Sequence, residues 1–200
     1  MKAGILFSGG KDSSLAAILL SFIYEVELNT FIFSPDADIN EVCNAAAVLK
    51  FPHHIRIMRD GLLTEAVDQI ISDGYPNNAI QKIHREAIQS LCRLYVIVAD
   101  GTRFGDRIPW LSGSEIQSIS DSQDVSYIRP LAGFPKKEVM RLSSQYLSVT
   151  YGETGTIRNG DYEHEIREEF AKRGLSTGLY FPHAHQQSLI TGRKDLTGVS

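Results

Sequence analysis

Cysteine is scarce in this chain: Cys43 and Cys92 are the only two, and they stand far apart. That excludes the CxxC pairs of zinc, iron–sulfur and dithiol chemistry, and it fits a reducing cytoplasm. Positive charge is not in excess either. Lys and Arg number 20 against 24 Asp and Glu, a net charge of -4. No bulk basic field attracts nucleic acid, so an RNA contact needs a local patch. Long apolar runs are missing. The stretch over residues 15–24 is too short to span a bilayer. Ser8-Gly9-Gly10-Lys11-Asp12 breaks the one segment that resembles a signal-peptide core. No membrane association is expected.

What is present is ordinary globular composition: 200 residues, 42% hydrophobic and 22% charged. A chain this long buries roughly 70% of its unfolded surface and needs no disulfide or metal to fold. Short apolar runs at about residues 3–7, 26–33, 54–58, 95–99 and 125–128 predict strands. Helical spacing predicts helices at about 12–23, 39–50, 62–72, 77–94 and 136–146, with loop and then helix over 108–119. Strands alternating with helices imply an α/β three-layer sandwich around a five-stranded parallel sheet, Rossmann-like in outline. From about residue 149 the texture becomes glycine-rich, with one helix expected over 162–172. Residues 1–148 are therefore expected to form the main domain and 149–200 a small appendage that recognises an acceptor. The loops after Phe7, Phe33 and Ala99 all lie at strand carboxyl ends, where such sheets bind ligands.

The first of these loops is the strongest signal. Ser8-Gly9-Gly10-Lys11-Asp12-Ser13-Ser14 joins a strand to a helix. Two glycines let backbone approach an anion, the helix N-terminus offers free N–H groups, and Lys11 with Ser8, Ser13 and Ser14 adds donors. These features together form a phosphate cradle; a generic Gly-Gly turn with a helix cap is the plainer alternative. The loop is neither G-x-x-x-x-G-K-[ST], since Asp12 follows Lys11, nor G-x-G-x-x-G. P-loop NTPases and dinucleotide dehydrogenases are thereby disfavoured.

Residues 8–13, Ser-Gly-Gly-Lys-Asp-Ser, resemble the PP-loop of the N-type ATP pyrophosphatases, whose signature SGGxDS follows the first strand. The resemblance extends over about residues 3–147 in element order. It implies an adenine nucleotide alpha hydrolase-like fold that binds ATP and Mg²⁺, adenylates an acceptor oxygen and releases pyrophosphate. The acceptor is a small molecule or a tRNA base, and the outcome is amidation or thiolation. Ser8 to Ser13 would hold the phosphates, with Lys11 catalytic. Phe33 would lie against adenine, or simply be core. Gly101 and Thr102 would contact nucleotide. Asp12 and Asp106 would hold Mg²⁺, Asp106 alternatively pairing with Arg103 or Arg107, and those arginines would clamp phosphate or the activated oxygen. Lys136 and Lys137, poorly placed at a helix N-terminus, suit a phosphate or RNA partner or are plainly solvated. Glu153 and Arg158, with Asp161, Glu163, His164 and Arg167, form a polar cluster suited to acceptor recognition. His183 and His185 are weak metal candidates. The two cysteines are expected to be structural, which leaves ammonia or sulfur to an external donor protein or to solution. A homo-oligomer is also compatible. A different class remains open: a non-catalytic adenine-nucleotide-binding module related to universal stress proteins.

Overall fold

The computed structural model describes residues 1–153, 156–182 and 186–194. Five parallel strands form the central sheet: β1 (Lys2–Leu6), β2 (Glu25–Ile32), β3 (His53–Ile57), β4 (Ile97–Ala99) and β5 (Ser126–Ile128). Their order is β3-β2-β1-β4-β5, so the winding reverses at β1, between β2 and β4. Ala3 stands opposite Val26 on one side and Ile97 on the other. The expected α/β three-layer sandwich with a five-stranded parallel sheet is the architecture found.

Alternation along the strands sorts side chains to two buried layers. Ile5, Phe7, Val26 and Leu28 meet α1 (Lys11–Leu20), α2 (Asn40–Leu49) and α6 (Lys136–Tyr146) on one face. Leu6, Phe31 and Val98 meet α3 (Leu62–Asp73) and α4 (Asn77–Cys92) on the other. α1 is buried nearly all round, which is why its sequence shows almost no polar face. α5 (Gly113–Gln123) is set by a capping box between Ser112 and Glu115.

Residues beyond 146 contribute to both layers. β6 (Leu147–Glu153) and β7 (Gln186–Arg193) form an antiparallel ribbon that sequence periodicity did not predict. Leu147 and Ile190 join the α1 and α2 layer, while Ile166 and Phe170 of α7 (Glu163–Lys172) join the α3 and α4 layer. Cys92 is buried and its thiol is pushed up to about 11 by burial, whereas Cys43 is half-buried; both are free. Among the described residues, no helix is long and apolar enough to cross a membrane. His183 and His185 lie outside the described residues.

Candidate functional site

β1 ends at the reversal point, and the first loop leaves it there to enter α1. Gly9 adopts φ +77°, a backbone conformation that glycine takes without penalty. Gly10 N donates to Ser8 Oγ at 3.3 Å, and Ser8 N donates to Ser13 Oγ at 3.3 Å. Ser14 Oγ is buried and donates to Gly10 O at 2.7 Å. The tail closes the loop from behind. Gly160 N donates to Ser8 O at 2.7 Å and Ile190 N to Gly9 O at 2.9 Å. Leu189 and Ala45 crowd the space a side chain at position 9 would need.

The loop after β4 packs directly onto the first. A Cβ at Gly101 would lie 2.6 Å from Ser13 N. Farther along, Arg103 draws two carboxylates together. Its guanidinium lies 3.6 Å from Asp12 Oδ2 and 3.0 Å from Asp106 Oδ1, and Lys11 Nζ lies 3.0 Å from Asp12 Oδ1. Asp12 Oδ1 and Arg103 Nε are nonetheless sealed from solvent without an aligned hydrogen bond. Burial, reinforced by the charge of Asp12, pushes the Asp106 carboxyl above its ordinary value in spite of Arg103.

Between these loops, α4 and the segment around Tyr162 lies a cavity of about 290 Å³. That is near the small end of the range for ligand sites. Phe31, Ile80 and Ile108 supply its apolar wall, and Asp12, Asp106, Asp161 and Glu163 line it with carboxylates. Like Asp12 and Asp106, the other two are tied within the chain: Gln187 Nε2 donates to Asp161 Oδ2 at 2.6 Å, and Arg167 pairs with Glu163 at 2.5 Å. Asp100 accepts from His84 Nε2 at 2.7 Å, from Tyr127 OH at 2.5 Å, from Thr102 N at 2.9 Å and from Thr102 Oγ1. Burial alone would raise its carboxyl, but the bonds from His84, Thr102 and Tyr127 prevail and hold it below the ordinary value.

Of the residues singled out from sequence, Ser8, Asp12, Ser13, Gly101, Thr102 and Asp106 line this one cavity. Gly9, Gly10, Lys11 and Ser14 adjoin it in the first loop, and Arg103 bridges the two carboxylates. Phe33 is not in the wall; it packs on the α3 and α4 layer, its N–H donating to Glu165 Oε1 at 2.9 Å, and Phe31 faces the cavity instead. Arg107, Lys137 and Glu153 are exposed away from the wall. Arg158 pairs with Asp38 at 2.5 Å. Sequence reading missed Asn29, His84 and Asp100. For His84 one signal existed: a histidine one turn after Ile80, on an otherwise apolar stripe with Ile83 and Ala87.

Comparison with known proteins places these features in a lineage. "Uncharacterized protein MJ0690" of Methanocaldococcus jannaschii is 39% identical over 195 residues, 97% of each chain. A crystal structure from Methanocaldococcus jannaschii, described as a "predicted subunit of tRNA methyltransferase", superposes with a TM-score of 0.89 at 38% identity, covering 98% of this chain and 99% of that one. U34-tRNA thiolase NcsA from Methanococcus maripaludis reaches a TM-score of 0.45 at 17% identity, over 72% of this chain and 55% of that one, a likeness too slight to carry a functional argument. Residues 1–192 match a family model throughout, and the chain belongs to that family, the family of unknown function DUF7411.

Proposed function

We propose that this protein is an ATP pyrophosphatase-type enzyme of the PP-loop superfamily. It binds ATP, adenylates an acceptor oxygen with release of pyrophosphate, and serves amidation or thiolation of a small molecule or a tRNA base. One observation carries the reading: Ser-Gly-Gly-Lys-Asp-Ser runs from β1 into α1 at the reversal point of the sheet, beside a cavity lined by Asp12 and Asp106. The relative described as a predicted subunit of tRNA methyltransferase supports a tRNA acceptor.

In this reading the first loop and the start of α1 hold the two terminal phosphates as one leaving unit, and Lys11 neutralises charge growing on them. Mg²⁺ fits the residues present. Asp12 Oδ1 is a sealed carboxylate oxygen without an aligned donor, and Asp106 stands across Arg103 from it. Among the described residues no three His, Cys, Asp or Glu side chains gather as a metal cluster. Two carboxylates completed by phosphate oxygens and water are what Mg²⁺ prefers. When bound, the ion would polarise the phosphates. Asp12 and Asp106 would hold it, Arg103 would keep the two carboxylates gathered and oriented, and Gly101 would let the second loop close on the first. Neither cysteine lines the cavity, so ammonia or sulfur comes from solution or a donor protein. Both free cysteines suit a cytoplasmic setting.

The test uses α-labelled ATP with pooled cell extract as acceptor. Labelled AMP with pyrophosphate is expected. Labelled ADP overturns the proposal, and ATP bound without turnover assigns the chain to the non-catalytic nucleotide-binding class.

A further inference from the structure

We infer that His84 is the proton acceptor for the nucleophile in this cavity, with Asp100 as the residue that positions it. The inference rests on the reaction proposed above and deepens it.

The pair is built as a unit. His84 is 5% exposed and Asp100 3%. Oδ2 of Asp100 accepts from His84 Nε2 and Tyr127 OH, and Oδ1 accepts from Thr102 N and Oγ1. Four donors fill the places a carboxylate offers and hold it rigid in its charged form. A carboxylate with no proton of its own can only accept from Nε2. The shared hydrogen therefore sits on Nε2, which leaves Nδ1 as the variable nitrogen. Nδ1 has no partner among the described residues, and His84 forms part of the cavity wall. His84 is also the one nitrogen base among the described residues that line this cavity. Besides His84 and Asp100, the ionisable groups there are Asp12, Asp106, Asp161, Glu163 and Tyr162. The first four are carboxylates held by Lys11, Arg103, Gln187 and Arg167, and burial pushes the Tyr162 hydroxyl far up.

The step balances as follows. Ammonia or hydrosulfide attacks the carbon that bears the adenylated oxygen. The new C–N or C–S bond forms, the C–O bond breaks, and AMP leaves with its electron pair. The proton of the nucleophile passes to Nδ1 of His84 and then to solvent.

Nitrogen-15 NMR of the intact chain tests this without turnover. At pH 8 the His84 proton is expected on Nε2 alone, and saturating AMP with Mg²⁺ is expected to shift the Nδ1 signal. Asp100→Asn should move the proton to Nδ1, because the new amide can donate to Nε2. Both nitrogens protonated at pH 8 would mark a structural ion pair and overturn the inference. If calorimetry shows that ATP does not bind, the ATP reading fails and the protonation pattern still decides the histidine. In the labelled-ATP assay, His84→Gln should lower AMP release by about 10²–10⁴-fold with ATP affinity unchanged. Equal loss of binding and turnover would reassign His84 to structure.

Discussion

Ser188 Oγ accepts the backbone N–H of Lys11 at 3.2 Å, across 177 residues of sequence. With Gly160 N on Ser8 O and Ile190 N on Gly9 O, the tail supplies partners to three residues of the first loop. The loop is thus shaped from behind by β7 and from within by its own serines. Ser188→Ala should leave the Lys11 amide without its partner at a cost of about 1–3 kcal/mol. Amide hydrogen exchange at Gly10 and Lys11 should quicken more than at the core strands. Unchanged exchange at those two amides would mean that the ribbon does not brace the loop.

Two glycines in the second loop separate close packing from backbone strain. A Cβ at Gly101 would lie 2.6 Å from Ser13 N and 2.8 Å from Ser13 Cα, backbone atoms that cannot swing aside. Gly105 has φ +88° and nothing within 4 Å. Gly101→Ala should therefore cost about 1–3 kcal/mol or more and displace the two loops. Gly105→Ala should cost about 1 kcal/mol from strain alone. Urea denaturation ranks them, and a smaller loss at position 101 would contradict the close approach.

The five central strands were legible because each is a short apolar run bounded by turn residues, as in Ala3–Phe7 before Ser-Gly-Gly. β6 and β7 were not, for a physical reason. Their inward residues Leu147, Val149 and Ile190 are few, while Tyr151, Glu153 and Gln186 are exposed. They also pair across the sequence distance from Leu147 to Arg193, with no local turn to announce them. The same division holds at the site. The first loop could be read because its residues are contiguous. His84 and Asp100 belong to α4 and to the end of β4, and only the packing of helix on sheet brings them together. Phe31 and Phe33 lie on one face by strand periodicity, so pattern alone did not say which of them meets the cavity.

At the opposite end of the sheet, Glu27 gathers Lys2 at 2.6 Å, Tyr95 OH at 2.8 Å and His54 at 3.1 Å. The Lys2 ammonium, followed by the Tyr95 hydroxyl, holds its carboxyl at about 2, well below the usual 4.5. A carboxyl lowered in the folded state adds stability that is complete above its unfolded value and lost as pH falls through the folded one. Stability should therefore decline from about pH 4.5 toward pH 2. Glu27→Gln should flatten that decline while costing about 1–3 kcal/mol at neutral pH. Parallel acid limbs in the two proteins would remove Glu27 from this role.

Lys11 offers a separate check on the phosphate site. Its ammonium pairs with Asp12 and is largely shielded, with a side-chain exposure of 12%. If it serves phosphates that AMP lacks, Lys11→Ala should weaken ATP more than AMP. One lost charge-assisted contact is worth about 1.5–3 kcal/mol, roughly ten- to a hundredfold. Calorimetric titration with both nucleotides decides it, and equal losses would remove Lys11 from the polyphosphate site.

Asp12 and Asp106 set the last expectation, because a triphosphate entering beside two carboxylates brings more negative charge than Lys11 and Arg103 offset, and a divalent cation relieves it. Chelating Mg²⁺ should weaken ATP at least tenfold, by about 1.4 kcal/mol or more. AMP, with fewer charges, should be affected less. Acid should act in the same direction. Burial and the neighbouring Asp12 push the Asp106 carboxyl above its ordinary value, so it takes up a proton earlier than a free aspartate as pH falls. Once protonated it no longer serves as a metal ligand. Mg²⁺-ATP affinity in the wild type should therefore drop on the acid side at a pH above the ordinary aspartate value of 3.8. Asp106→Asn should bind Mg²⁺-ATP weakly throughout and lack that drop, and turnover should suffer more than binding if the cation acts chiefly on the transition state. Calorimetry at a series of pH values, with and without chelator, measures both effects. ATP affinity indifferent to Mg²⁺ would mean that the two carboxylates serve only Lys11 and Arg103.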